Sequence, residues 1–243
     1  MLRSTIILLI GLVLLTQSGC QTNFNQNNNK KNSQKTEQAL EENMDKLNIE
    51  FLQAAEHNKK EEMAVLLEQG ANINAVDNRG RTAAMIAVHT NELDLFQWLI
   101  DKGADINIRD NRSDNPLLYA GAEGLLDFVR AAVAAGADTK LTNRFGGTAL
   151  IPAADRGHVD IVKELLKTSD VNIDHINNLG WTALLEAVLL GNGGTRHQQI
   201  VNLLIEYGAD VNIADSEGVT PLQHAKRLGY SEMVQALEAA GGE

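Results

Sequence analysis

The sequence predicts an all-α solenoid of about six helix-turn-helix units, with hairpin or turn tips between units. Three observations carry this reading: a short segment recurring at a near-constant period, a helix-capping residue at one phase of five units, and apolar pairs at helical spacing. GANIN at 70–74, GADIN at 103–107, GADTK at 136–140 and GADVN at 208–212 share one pattern, the first three 33 residues apart. Matching segments lie between them: RTAAMIA at 81–87, DNPLLYA at 114–120, GTALIPA at 147–153, WTALLEA at 181–187 and VTPLQHA at 219–225. A period of this length marks stacked units, each too small to bury a core alone and each stabilised by its neighbours.

The elements of a unit follow in order. Thr82, Asn115, Thr148, Thr182 and Thr220, spaced 33, 33, 34 and 38, are N-cap types at the entrance to each first helix. Pro116 and Pro221 come next, at the first helical position, where a missing N–H costs nothing. Ala54, Ala87, Ala120, Ala153, Ala187 and Ala225 recur at one phase and let helices approach closely. Apolar pairs such as Met63 with Leu66-Leu67 and Phe96 with Leu99-Ile100 mark the buried stripe of the second helices. Gly70, Gly103, Gly136 and Gly208 stand where those helices need a left-handed cap. Six units result: about 46–78, 79–111, 112–144, 145–178, 179–216 and 217–241. The first lacks the threonine-led segment and reads as a cap. The fourth replaces its glycine with Thr168-Ser169, and the fifth carries five extra residues within 191–197, between its two helices.

These motifs resemble the ankyrin family, whose unit is similar to G-x-T-P-L-H-x-A, then G-H, two apolar pairs and G-A-D-x-N. Gly157-His158 with Ile161 to Leu166 matches the second half closely, and Thr220-Pro221-Leu222 matches the first. The resemblance covers residues 46–241. It implies a cupped stack in which the tips form fingers, the first helices form a palm, and a partner protein binds the concave face.

Residues 1–19 have the layout of a signal peptide: Arg3, an apolar run from Ile6 to Leu15, then small and polar residues. The run is too short to favour a membrane-spanning reading, which needs about 20 apolar residues. Ser18-Gly19-Cys20 is similar to the lipobox of bacterial lipoproteins, which implies that Cys20 becomes the N-terminus and carries acyl chains such as palmitate. The alternative is ordinary cleavage with an incidental cysteine. Residues 20–36 hold that cysteine and an Asn/Gln/Lys-rich tether with too little apolar content to fold. Residues 37–45 lead into the repeats, the 46–241 domain. The expected location is the bacterial envelope, lipid-anchored and facing the periplasm; Gln21 is not the inner-membrane retention aspartate, so an outer membrane, where present, is favoured.

Composition excludes several functions. A net charge of −11 argues against nucleic acid, whose phosphates require clustered Lys and Arg. One cysteine allows neither an intrachain disulfide nor a thiolate metal cage. The six histidines are scattered along the repeats and make no metal spacing; His158 sits at the family's structural G-H position. Gly191-Asn192-Gly193-Gly194 lacks a phosphate-loop lysine and a preceding strand. The expectation is no catalysis, no cofactor and no metal.

The tips carry Arg79, Arg81, Arg109, Arg112, Arg144, Phe145 and Trp181, while Tyr119 and Glu186 fall at a palm-facing position. Five arginines along one edge of an acidic protein suggest a partner with an acidic patch, because Arg, Tyr and Trp dominate binding energy at interfaces. The alternative is that Asp77, Asp110 and Asp114 neutralise these arginines within the tips. The expected state is a monomer binding another protein. Toxin immunity, envelope oxidative-stress defence and passive scaffolding are three roles that the sequence does not separate.

Overall fold

The computed structural model describes residues 40–243. The segments expected to form a signal peptide (1–19), the lipidated Cys20 and the tether to residue 36 therefore lie outside the described residues. Backbone contacts divide the chain into Met1–Asn43 and Met44–Glu243. Of the first unit only residues 40–43 are described, and they are helical.

The second unit is a stack of helix pairs. Residues up to 56 complete α1, followed by α2 (Lys60–Glu68), α3 (Ala83–His89), α4 (Leu93–Asp101), α5 (Pro116–Glu123) and α6 (Leu126–Ala134). Then come α7 (Leu150–Asp155), α8 (Val159–Thr168), α9 (Ala183–Leu189), α10 (Thr195–Glu206), α11 (Pro221–Leu228) and α12 (Ser231–Ala239). Six pairs match the six sequence units. Among the described residues, the first helices α3, α5, α7, α9 and α11 pack in series, and α4, α6, α8, α10 and α12 form a second layer behind them. None of these helices is long and apolar enough to cross a membrane.

The recurring alanines explain how closely the layers approach. Ala54, Ala87, Ala120, Ala153, Ala187 and Ala225 are all buried. Gly121 goes further: a methyl group there would stand 3.1 Å from the Ala149 Cβ, so α5 passes the start of α7 more closely than a side chain ordinarily allows. Phe51, Met63, Phe96, Leu99, Phe128, Val162, Leu165, Val201 and Leu237 continue one apolar seam through the stack.

Capping holds at four of five threonine-phase residues. Thr82, Asn115, Thr182 and Thr220 each accept a backbone N–H from the third residue onward, and Thr220 closes a reciprocal box with Gln223. Thr148 does not cap. Pro152 has no N–H to fill the Thr148 carbonyl. The Ile151 N–H, which a cap hydroxyl would otherwise take, turns to that carbonyl at 3.2 Å. The Thr148 hydroxyl is left buried without a partner, and α7 starts late, at Leu150.

The two irregular units have simple causes. Without glycine, α8 ends at an extended Ser169 (φ −130°, ψ 171°), whereas Gly70, Gly103, Gly136 and Gly208 all take positive φ. The extra residues of unit five are not all loop. Thr195, Arg196 and His197 form the first turn of α10, which at 12 residues is longer than α4, α6 or α8. The loop before it is held by the Tyr230 hydroxyl, which donates to the Gly191 carbonyl at 3.0 Å.

Candidate functional site

Each tip is pinned by an Asp or Asn at its base. Asp77 Oδ1 accepts from the N–H groups of Arg79 and Arg81, both at 2.8 Å. Asp110 Oδ1 does the same for Arg112 and Asp114 (2.8 and 2.9 Å), and Asn143 Oδ1 for Phe145 and Gly147 (2.9 and 3.1 Å). Asn177 holds Leu179 and Trp181, and Asp215 holds Glu217 and Val219, in the same way. Successive tips are then tied together: the Asn111 N–H donates to the Arg79 carbonyl at 2.9 Å and that of Asn178 to the Phe145 carbonyl at 3.0 Å. These pinning residues recur at the repeat period, so the signal was present in the sequence, where Asp77 and Asp110 read only as counter-charges. Burial alone would raise Asp77, but hydrogen bonds from the Arg81 backbone and side chain outweigh it and leave the carboxyl below its ordinary value.

Between the tips and the first helices runs a groove of about 600 Å³, its lining drawn from tips, α3, α5, α7, α9 and the residues that follow those helices, with nothing from α4, α6, α8 or α10. Arg112, Arg144 and Phe145 edge it from the tips; Tyr119, Asp155 and Glu186 belong to its helix side. A smaller recess of about 270 Å³ adjoins it, sharing His89 and Arg112 and adding Arg79 and Arg81. Phe145 (54% exposed), Leu179 (56%) and Leu190 (51%) give the groove large apolar surfaces open to solvent.

The predicted residues separate into two groups. Arg79, Arg112 and Arg144 are exposed, and none makes an ion pair among the described residues. Arg144 lies over the Phe145 ring, 4.5 Å from its centroid. The Tyr119 and His89 rings meet at a tilt of 49° with centroids 4.0 Å apart. Arg81, by contrast, is committed to Asp77 at 2.7 Å and Glu56 at 3.0 Å, and Arg109 donates to the Thr142 carbonyl at 3.1 Å. Trp181 is half-buried and outside the groove lining; its backbone closes the fourth tip through Asn177. Glu123, Asp155, Leu179 and Leu190 line the groove and were not picked out from sequence, and Asp114, read there only as a counter-charge, lines it too.

Glu186 differs from the open palm position its place in the repeat suggests. Only 6% exposed, it accepts a hydrogen bond from Asn177 Nδ2 at 2.8 Å. Burial, with the Asp155 charge beside it, pushes its carboxyl from 4.5 up to about 7, against the opposing Asn177 hydrogen bond. Burial and then Asp110 likewise raise Asp114. Burial and the Arg81 charge hold His89 below its ordinary 6.5, so its ring is neutral at pH 7. No cluster of three metal-ligating side chains occurs among the described residues. His57, His158, His175 and His197 place a ring nitrogen on a backbone carbonyl, and His224 bonds Asp215.

Stacked helix pairs with pinned tips and a one-sided groove define a repeat-solenoid protein-binding module. The comparisons agree: a family model described as ankyrin repeats (3 copies) matches residues 13–110 and 117–215. The chain belongs to the ankyrin-repeat family. The crystal structure of an ankyrin repeat domain from Acinetobacter baumannii AYE superposes with a TM-score of 0.76 at 49% identity, covering 79% of this chain and 98% of that one. That of the ankyrin repeat protein EF0377 gives 0.74 at 41% identity, covering 78% and 96%. The ankyrin repeat protein YahD of Escherichia coli (strain K12) is 48% identical over 80 residues, 33% of this chain. The chain spans half or less of the sequence relatives it matches: 40% of YahD and 50% of mouse protein phosphatase 1 regulatory subunit 27.

Proposed function

We propose that this protein is an envelope-anchored binding module that captures one partner protein in the groove between its tips and first helices. The observation that carries the reading is the convergence of Arg79, Arg112, Arg144, Tyr119 and Phe145 on a contiguous groove and recess. Exposed arginines beside a solvent-facing aromatic supply the residue types that anchor interfaces. The Arg79 and Arg112 edge fits an acidic patch on the partner. Arg81, Arg109 and Trp181 support the tips instead.

The tips are tied to one another by hydrogen bonds, so the face is pre-organised and loses little entropy on binding. That favours a tight, single partner over passive scaffolding, and neutralising a periplasmic toxin is one role that a tight, single-partner face serves. Anchoring rests on the Ser18-Gly19-Cys20 motif and the polar tether after it. Stable attachment needs more than one acyl chain, as lipoproteins carry.

Two experiments test this. Affinity capture from envelope extract, repeated with Arg79→Glu, Arg112→Glu and Arg144→Glu together, should lose the partner that the parent retains; undiminished capture removes the proposed face. Metabolic labelling with palmitate should mark the parent and not Cys20→Ser; an unlabelled parent removes the anchor.

A further inference from the structure

Resting on that reading of the groove, we propose that its floor between α7 and α9 receives one basic side chain of the partner protein, with the Glu186 carboxylate as counter-ion and Asp155 beside it. Five observations lead there. Glu186 is a nearly buried carboxyl in the lining of the groove, and only one of its oxygens is occupied. Asn177 is itself fixed: its Oδ1 holds the Leu179 and Trp181 N–H groups at 2.9 and 3.0 Å, which leaves its amide to bond Glu186 Oε1. The other carboxylate oxygen accepts no hydrogen bond among the described residues.

The cations nearby are directed elsewhere. Arg156, the neighbour of Asp155 in sequence, bonds Glu123 and the Ala122 carbonyl, both at 2.7 Å. Arg144 lies over Phe145. His197 uses its Nε2 on the Asp155 carbonyl at 2.8 Å, leaving the Asp155 carboxylate unpaired among the described residues. Two carboxyl groups thus share a partly dry site without a cation. Burial and their mutual repulsion push Glu186 up to about 7, and an ammonium or guanidinium group would relieve that cost.

The walls select the kind of cation. Phe145, Leu179 and Leu190 present exposed apolar surface along the groove, which suits the methylene stem of Lys or Arg while the head reaches the carboxylates. A bare metal ion would leave those walls unused. Charge also orders the partner. Tip residues at one repeat position read Arg79, Arg112, Phe145, Leu179, a change from basic to apolar along the stack. The partner's acidic side therefore meets the recess at Arg79 and Arg112, and its basic side chain meets Glu186.

The test titrates the full chain with Nα-acetyl-argininamide and Nα-acetyl-lysinamide, with the neutral isostere Nα-acetyl-citrullinamide as control, followed by amide chemical shifts. A basic amide should move the Phe145, Leu179 and Glu186 signals at least about tenfold more tightly than citrullinamide, since a charge-assisted hydrogen bond replaces a neutral one. Glu186→Gln, which retains an acceptor for Asn177, and Asp155→Asn should each weaken that response. Neither basic amide moving those signals, or all three amides moving them equally, overturns the proposal. Arg79→Glu alone, a change in the recess and outside the groove lining, should leave the response in place. Loss of partner capture by the triple charge reversal, with no basic amide binding the floor of the parent, would sink this inference and spare the docking face.

Discussion

Glu186→Gln should stabilise the protein in a way that depends on pH. Gln keeps the oxygen that accepts from Asn177 Nδ2 and removes the charge. The parent's folded carboxyl holds its proton up to about 7, while the unfolded chain releases it near 4.5. Between those values the folded state binds more protons than the unfolded state, so stability falls as pH rises; the loss begins above 4.5 and is complete above about 7. At about 1.36 kcal/mol per pH unit the interval corresponds to about 3 kcal/mol, which water in the open groove screens to about 1–3 kcal/mol. Each kcal/mol shifts the melting temperature of a domain this size by about 2–4 °C. Thermal melts of parent and variant, followed by circular dichroism at about pH 5 and about pH 8, measure it. The variant should melt several degrees above the parent at the higher pH, and the gap should nearly close at the lower. An equal gap at both values, or a variant that melts lower at high pH, refutes the account of Glu186 as a carboxyl kept protonated by burial.

Three further outcomes concern the scaffold that positions the groove. Thr148→Val removes a buried hydroxyl with no partner, while Thr182→Val removes a working cap. Urea midpoints should show the first neutral or stabilised and the second weakened by about 1 kcal/mol. Gly80 and Gly103 both have positive φ, but a Cβ at Gly80 would stand 2.9 Å from the Asn111 backbone nitrogen, whereas none meets Gly103 within 4 Å. Gly103→Ala should cost about 1–2 kcal/mol in denaturant unfolding, and Gly80→Ala more, because it also disturbs the bond from Asn111 to the Arg79 carbonyl. Asn143→Ala frees the N–H groups of Phe145 and Gly147, so hydrogen exchange at those two amides should quicken while α8 is unchanged.

The stack was legible in the sequence because a repeat writes its buried positions several times over. The alanine phase, the threonine phase and the GADxN segments each named an element that the structure contains. Thr148 broke the pattern because the deciding residue, Pro152, acts through the N–H it lacks. The groove was harder to read. Arg79, Arg112 and Arg144 look like one series, yet at the true period Arg112 is equivalent to Phe145 and Leu179, and Arg144 stands one position earlier. Arg81 and Arg79 differ by two residues, and only burial against Glu56 and Asp77 assigns the first to structure and leaves the second exposed. Glu186 could be placed on the palm from its phase, but its isolation depends on where Arg156 and Asn177 point, which no spacing reports.

Site-specific photo-cross-linking in cells tests the binding face most directly. A benzoyl-phenylalanine replacing Phe145 on the groove edge should trap one partner protein, while the same probe replacing exposed Tyr207, at the end of outer-layer α10, should trap none. The same partner trapped at Tyr207 and not at Phe145 would contradict recognition through the groove.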